Sequence, residues 1–507
     1  MQAVLTSEEM RAADAYTIQT QGVASLVLME RAGRALAEVA KALAGDGDIL
    51  CLCGSGNNGG DGYVCARKLK KEGRMVECLS VFAPRSTDCV ETHRLWEQAG
   101  GVTHAKFPQE RKWALIIDCI FGTGFHGAFT DGALIRNIEK SGAKVLACDI
   151  PSGVNGDNGK VEGYAVKADV TLCLGERKTG VYMQDGIDYA GEVLCADIGI
   201  VLPKKQEEYA QFLTRDFVGA HLPLRKRNSH KGSYGKAAIV AGSLQYSGAA
   251  HLSHAALFAT VACLRTGVGY TTLYIPKNLL SACMFKTPEA LLKSINDGDR
   301  YAFNEEKLQE LTAYDAIAFG MGMGQSEDVQ KGAVWLLTHY QGKLILDADA
   351  LNCLSDLPKE QMETLLQEKR CDLVITPHLK EFSRLSGEEV QNIINNGAFA
   401  AQAFAKRNKT TVLLKNAVTI IVDKKRVYLQ PRGSSGQAKG GSGDVLAGVI
   451  TGLAASGLSC FDAAYIGSYL CGVAAEKAAE KLSEYAMLPS DIIAYLGAAF
   501  LYLQGQE

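Results

Sequence analysis

The feature that most constrains this chain is a repeated junction: a short apolar run ends in a loop rich in glycine, serine or aspartate, and a helical pattern follows. Residues 49–53 form such a run and lead straight into Gly54-Ser55-Gly56-Asn57-Asn58-Gly59-Gly60-Asp61-Gly62, with a helix predicted over 63–72 and a strand over 75–82. Runs at 115–119, 144–149 and 169–174 continue the series. Upstream, Thr6-x-x-Glu9 has capping-box spacing and predicts a helix over 6–19, with a second starting near Ser25. The second half repeats the junction, with strands predicted at 236–242, 315–319, 345–346 and 373–375, then a hairpin-like pair at 412–415 and 419–422. Strands that alternate with helices imply parallel sheets covered by helices on both faces, so the fold class is α/β. Between 198 and 227 the glycine-rich alternation stops and Lys204, Lys205, Glu207 and Glu208 appear, which sets the domains at 1–213 and 214–507.

Composition narrows the function classes. A chain of 507 residues with 47% apolar and 21% charged side chains has the make-up of a soluble globular protein of more than one domain. The net charge of −3 gives no electrostatic case for nucleic acid or an anionic membrane surface. Fifteen cysteines without a C-x-x-C pair suit buried thiols in a reducing cytoplasm. His251-x-x-His254 lies in a helical pattern without acidic or cysteine partners and is read as structural. No signal segment or long apolar span stands out, so a cytosolic protein is expected.

The chemistry sits at the strand ends. Gly54, Gly56 and Gly59 satisfy G-x-G-x-x-G, but Ser80, Val81, Phe82 and Ala83 stand where a dinucleotide site needs an acid for the ribose. Asn57, Asn58 and Asp61 instead place polar side chains beside a glycine nest, which suits phosphates together with a hard cation. Asp118 heads the loop Phe121-Gly122-Thr123-Gly124-Phe125-His126-Gly127, and Asp149 heads Pro151-Ser152-Gly153-Val154-Asn155. Ligands bind at the carboxyl ends of parallel strands, so Asn58, Asp118, Asp149 and Ser152 are expected to share one site. In the second half, Gly320-Met321-Gly322-Met323-Gly324 allows another close backbone approach. Asp347 and Asp349 would cap helices or help place Mg²⁺ with nucleotide phosphates, and His378 follows Pro377. The sharpest signal is the stretch from Gly440 to Gly448, in which Gly440, Gly441 and Gly443 let N–H groups converge on an anion at a helix N-terminus. Asp444 in that first turn would repel phosphate unless it takes a proton from an acceptor hydroxyl, so the stretch is read as a phosphoryl-transfer site. No G-x-x-x-x-G-K-[ST] occurs, which excludes a P-loop enzyme.

These residues carry a resemblance. GSGNNGGDG at 54–62, DCIFGTGFHG at 118–127, DIPSGVNGDNG at 149–159 and Leu28-Met29-Glu30-Arg31-Ala32-Gly33 resemble NAD(P)H-hydrate epimerases over about 1–213. Ser229-His230-Lys231-Gly232, Val240-Ala241-Gly242-Ser243, Gly320 to Gly324, Asp347-Ala348-Asp349-Ala350-Leu351, Thr376-Pro377-His378 with Glu381-Phe382, and Gly440 to Gly448 resemble the ribokinase-like superfamily. Within it they are similar to the ADP- or ATP-dependent NAD(P)H-hydrate dehydratases, over about 225–505, with Lys415-Asn416 departing from the more usual Lys-Gly.

The resemblance implies two three-layer sandwiches, the first Rossmann-like and the second ribokinase-like. It implies repair of hydrated NADH and NADPH (NADHX and NADPHX): epimerisation of the R and S forms, then nucleotide-dependent dehydration of the S form with ADP going to AMP and phosphate. It implies potassium held by Asn58, Asp118 and Ser152, proton handling by Asp118, and hydrate binding by Asn57, Asn58, Gly59, Gly60, Asp61, Gly122, Thr123, Gly124, Phe125, His126, Gly127 and Asp149. For the second domain it implies hydrate binding by Ala249, Gly322, His378 and Asp444, with Asp444 catalytic. ADP or ATP, with Mg²⁺, would be held by Lys415, Asn416, Ala417, Val418, Thr419, Ser434, Ser435, Gly436, Lys439, Gly440, Gly441, Ser442 and Gly443. A homo-oligomer is expected. The alternative is a ribokinase-like small-molecule kinase for a vitamin precursor, fused to a Rossmann-like ligand-binding module; it shares the glycine-rich phosphoryl site but makes a stable phosphorylated product.

Overall fold

The computed structural model describes residues 2–205, 208–244 and 254–506. They form two compact units, Gln2–Tyr209 and Ala210–Glu507. The strand Ala210–Phe212 pairs in parallel with Val427–Gln430 and so belongs with the second unit.

The strands of the first unit are β1 (Gln2–Leu5), β2 (Ile49–Cys53), β3 (Val76–Ser80), β4 (Thr103–His104), β5 (Leu115–Cys119), β6 (Lys144–Cys148), β7 (Val170–Leu174), β8 (Arg177–Lys178) and β9 (Glu192–Ala196). Seven of them form one sheet in the order β4-β3-β2-β5-β6-β7-β9, and its pairings are parallel. Helices cover both faces, so the central strands are apolar on both sides; β2 and β5 are buried at every residue. β1 pairs in parallel with β8, which brings Leu5 beside Lys178. Thr6 caps the helix Ser7–Gln19 with the expected box.

One expectation is corrected. The helix predicted from residue 63 begins at Asn57, so most of the glycine-rich loop is the first turns of the helix Asn57–Lys71. Helix propensity argues against this, since interior glycine costs roughly 1 kcal/mol relative to alanine. Packing reverses the balance. A Cβ on Gly59 would lie 2.1 Å from the Gly54 carbonyl oxygen, and one on Gly62 would lie 3.0 Å from both the Cys53 and Cys119 sulfurs. The glycines let the helix start against the strand ends.

The second unit adds β10 (Ala210–Phe212), β11 (Lys236–Val240), β12 (Tyr270–Ile275), β13 (Leu291–Ser294), β14 (Ala316–Phe319), β15 (Lys343–Leu346), β16 (Asp372–Ile375), β17 (Thr411–Leu414), β18 (Thr419–Val422) and β19 (Val427–Gln430). They run in the order β13-β12-β11-β14-β15-β16-β17-β18-β19-β10. The pairing is parallel from β13 to β17 and antiparallel through β18 and β19. The helix Ser442–Ala455 is buried from Val445 onward. It crosses the helix His254–Arg265 so closely that a Cβ on Gly448 would sit 2.1 Å from the Ala259 carbonyl oxygen. The strand order reverses between β2 and β5 in the first unit and between β11 and β14 in the second, and ligands bind at such switch points of parallel strands.

Candidate functional sites

At the first switch point lies a cavity of about 730 Å³. Asn57, Asn58 and Asp61 line it from the N-terminus of the helix Asn57–Lys71, Gly122 to His126 from the loop after β5, and Asp149 from the end of β6. Gly59, Gly60 and Gly127 do not line it; Gly59 packs against Gly54 and Gly60 against Met29.

Asp118 and Ser152 also lie off the cavity wall. Asp118 is fully buried: its Oδ2 accepts the Ser152 N–H at 2.8 Å and its Oδ1 the Ser152 hydroxyl at 2.7 Å. The Ser152 hydroxyl oxygen in turn accepts the Phe121 N–H at 2.9 Å, and the Asn58 amide donates to the Phe121 carbonyl at 2.8 Å. Burial pushes the Asp118 carboxyl up to about 6, against the pull of the Ser152 and Ile120 hydrogen bonds. A carboxylate, a hydroxyl, an amide and a peptide carbonyl thus meet with one negative charge among them. Hard oxygen donors of that kind suit a cation of low charge.

The cavity wall carries other ionisable groups. Asp149 holds a left-handed backbone, φ 71°, and its Oδ1 accepts the Leu174 N–H at 3.1 Å and pairs with the Lys178 ammonium. Lys178 is 1% exposed; burial opposes its charge, but the groups around it, Asp149 first, together leave its pKa raised. Burial raises the Asp61 carboxyl well above its ordinary value, and neighbouring Asp149 and Asp14 add to it. Asp14, on the helix Ser7–Gln19, lines the same cavity; burial lifts it to about 6. Sequence reading missed Asp14 and Lys178. In sequence they look like solvent-facing charges, and only the β1–β8 pairing carries Lys178 inward. A second hollow, about 810 Å³, lies by β3 and β4, where Glu77 pairs with His104 and Arg111; none of the expected site residues borders it.

In the second unit the polar residues gather after β15, β16 and β17. Lys415 follows β17; its Nζ lies 2.9 Å from Asp347 Oδ1 and 4.0 Å from Glu381 Oε2. Burial opposes the charge on Lys415, but the two carboxylates raise its pKa. A Cβ on Gly443 would come within 3.5 Å of that Nζ and 3.7 Å of Asp347 Oδ2, so Lys415, Asp347 and the glycine-headed helix start form one cluster. Asp444 is in the first helical turn, as expected; burial and then Asp347 push it up to about 7, while Lys415 pulls the other way. The Ser442 hydroxyl is buried and has no hydrogen-bond partner among the described residues.

Asp349 accepts the Gly324 N–H at 2.7 Å and so pins the glycine loop after β14, and Ser243 donates to the Gly322 carbonyl at 3.0 Å. His378 caps the helix Leu379–Ser386, with Nδ1 accepting from the N–H groups of Lys380 and Glu381 at 3.1 and 3.2 Å. Asn416 and Ala417 form the exposed turn between β17 and β18, followed by Val418, buried, and Thr419 at the start of β18. Ser434 bonds Glu484 at 2.9 Å, and the Lys439 ammonium bonds the Tyr485 and Met487 carbonyls at 2.8 and 2.5 Å. Ala249 and His251 lie outside the described residues. Among the described residues no group of three histidine, cysteine or acidic side chains could hold a metal ion alone, and no helix is long and apolar enough to cross a membrane.

Known proteins match both units. Residues 25–180 match a family described as the YjeF-related protein N-terminus, and residues 237–497 one described as NAD(P)H-hydrate dehydratase. A protein of Moorella thermoacetica named bifunctional NAD(P)H-hydrate repair enzyme Nnr is 32% identical over 519 residues, covering 97% of this chain and 96% of that one. One of the same name from Thermofilum pendens is 32% identical over 516 residues, covering 98% and 96%. Among solved structures, the ADP/ATP-dependent NAD(P)H-hydrate dehydratase from Bacillus subtilis, co-crystallised with ATP/Mg²⁺, is 28% identical with a TM-score of 0.50, over 58% of this chain and 99% of that one.

Proposed function

This chain belongs to the family of bifunctional NAD(P)H-hydrate repair enzymes, and we propose that its two units carry out the two steps of that repair. The first unit interconverts the R and S epimers of hydrated NADH and NADPH. The second removes water from the S epimer, using ADP or ATP. The observation that carries this reading is Asp444 in the first turn of a glycine-headed helix, next to the charged pair of Lys415 and Asp347.

In the second unit, Asp444 takes the proton of the substrate's ring hydroxyl as the hydroxyl oxygen attacks the terminal phosphorus of the nucleotide. Backbone N–H groups of Gly441 to Gly443 stabilise the charge on the transferring group. Lys415 adds a positive charge at the same place. The phosphate then leaves with the C–O electron pair and takes up the proton lost from the neighbouring carbon, whose C–H electrons restore the ring double bond. With ADP the products are AMP and phosphate. Gly322 and His378 contact the hydrate; Lys415 to Thr419 and Ser434 to Gly443 hold the nucleotide. The protein donors fit Mg²⁺ only as a partner of nucleotide phosphates, since Asp347 is engaged by Lys415 and Asp349 by Gly324. In that role Mg²⁺ supplies charge neutralisation on the phosphates.

In the first unit, Asp149 contacts the hydrated ring, with Asn57, Asn58, Asp61 and the loop from Gly122 to His126 holding the rest of the nucleotide. Asn58, Asp118 and Ser152 would hold potassium, and their mixed oxygen set fits it; bound there, potassium supplies a fixed positive charge beside the cleft. Asp118, hydrogen-bonded three times and off the cavity wall, serves as its ligand in this reading more than as a proton carrier. Ser152→Ala is then expected to raise the potassium concentration that half-restores epimerisation, after dialysis into a tetramethylammonium buffer, by about 10–100-fold. An unchanged half-activation point removes Ser152 from the cation site. Fourteen of the fifteen cysteines are buried and all are unpaired, which suits a cytoplasmic protein, and we take it to act there as a homo-oligomer.

The test is a mixture of both NADHX epimers with the full chain, ADP, Mg²⁺ and K⁺, followed by dihydronicotinamide absorbance. Complete recovery is expected. A stable phosphorylated hydrate without recovery would favour a kinase instead.

A further inference from the structure

Hydration of an enamine puts the hydroxyl on the carbon bonded to nitrogen, so the centre to be inverted is a hemiaminal carbon. Inverting it without another reactant requires a bond at that carbon to open and re-form on the opposite face. One group must take a proton while a second gives one. Asp149 Oδ1 is engaged by the Lys178 ammonium and the Leu174 N–H, which leaves its other carboxylate oxygen to accept a proton. Two further carboxyls line the same 730 Å³ cavity, Asp14 and Asp61, and no hydrogen bond from a described residue reaches either side chain. Asp61 is 8% exposed and enclosed in the wall, whereas Asp14 is only partly buried on the helix Ser7–Gln19. Arg11, Asp88 and His126 complete the charged and titratable lining.

We propose that Asp14 is a second catalytic residue of the epimerisation, giving a proton to the ring nitrogen while Asp149 accepts the hydroxyl proton. The proposal rests on the epimerase reading of this unit. As Asp149 takes the proton, the carbon–nitrogen bond opens with its electron pair passing to nitrogen, and the C–O bond becomes an aldehyde carbonyl. Nitrogen takes the proton from Asp14. Rotation about the adjacent C–C bond presents the other aldehyde face; nitrogen then re-attacks, returns its proton to Asp14, and the oxygen recovers a proton from Asp149. No atom or electron enters from outside. Burial keeps Asp14 protonated to higher pH than an ordinary carboxyl, which suits the donor role.

The experiment uses the full chain without ADP or ATP, so that the second unit leaves the epimers unconsumed, and follows conversion of purified S-NADHX to the R form by chromatography, over the uncatalysed rate. Asp14→Asn is expected to lower kcat about 100-fold or more with KM changed less than about threefold. Asp14→Glu is expected to recover at least about tenfold of that loss, and ADP-dependent dehydration of the S epimer by the same preparation reports that the chain is intact. A kcat within about threefold of the parent, or a raised KM with kcat unchanged, overturns the catalytic role. Absence of interconversion by the unsubstituted chain overturns the epimerase reading and this role with it.

Discussion

Asp444→Asn is expected to lower kcat for ADP-dependent dehydration by about 10²–10⁴-fold while changing the nucleotide Kd by less than about threefold. Asparagine keeps the shape and the helix-start position but cannot accept the hydroxyl proton. A helix N-terminus favours the ionised carboxylate, yet burial and the neighbouring Asp347 carry the group up to about 7. The parent's kcat should therefore rise from pH 5 to pH 8 with an inflection near 7, and the residual rate of the Asn variant should lack that limb. Stability runs the other way. The folded state holds this proton up to about pH 7, whereas an unfolded aspartate releases it near 3.8, so folded-state proton binding exceeds unfolded-state binding between those values. Stability is therefore lost as pH rises through that window, and Asp444→Asn should raise the melting temperature at pH 8 and leave it nearly unchanged at pH 4. A variant that keeps the dehydration rate with nucleotide bound, or melts like the parent at pH 8, removes Asp444 from this role.

Gly59→Ala is expected to destabilise the first unit by about 1–3 kcal/mol or more and to abolish epimerisation. The added Cβ would lie 2.1 Å from the Gly54 carbonyl oxygen, 2.7 Å from its carbon and 2.9 Å from its nitrogen. All three are backbone atoms of the turn leaving β2, so no side-chain rotation relieves the clash; the helix start must move, and Asn57, Asn58 and Asp61 with it. Gly56→Ala is the control for stability, because nothing lies within 4 Å of its added carbon. Urea unfolding read by fluorescence of Trp96 and Trp113, both buried in the first unit, should show an early transition for the first variant and not the second. Equal midpoints would mean that the turn yields.

How far the sequence could be read depended on whether a residue's environment is local. Capping of the first helix, the strand ends at 53, 119 and 319, and the position of Asp444 follow from spacing and composition within a few residues, and the structure agrees. The helix start at Asn57 did not, because five glycines and asparagines in succession have loop propensity and only contacts with β2 and β5 overrule it. β12, with two threonines amid tyrosines, carries a weak strand signal in sequence, although pairing with β11 and β13 buries it. Side-chain engagement was the least legible. Lys415 falls where a nucleotide contact was expected, but its bond to Asp347 spans 68 residues of chain. Lys178 turns inward through pairing with a strand at the other end of the unit.

The helix cap at His378 restricts what that histidine can do. With Nδ1 accepting two backbone N–H groups, the neutral ring carries its hydrogen on Nε2, and taking a second proton would cost the helix its cap. Burial lowers its pKa in the same direction. In the proposed dehydration the ring would therefore serve as a donor on Nε2, which lies 3.5 Å from Glu381 Oε1, and the hydroxyl proton would be left to Asp444.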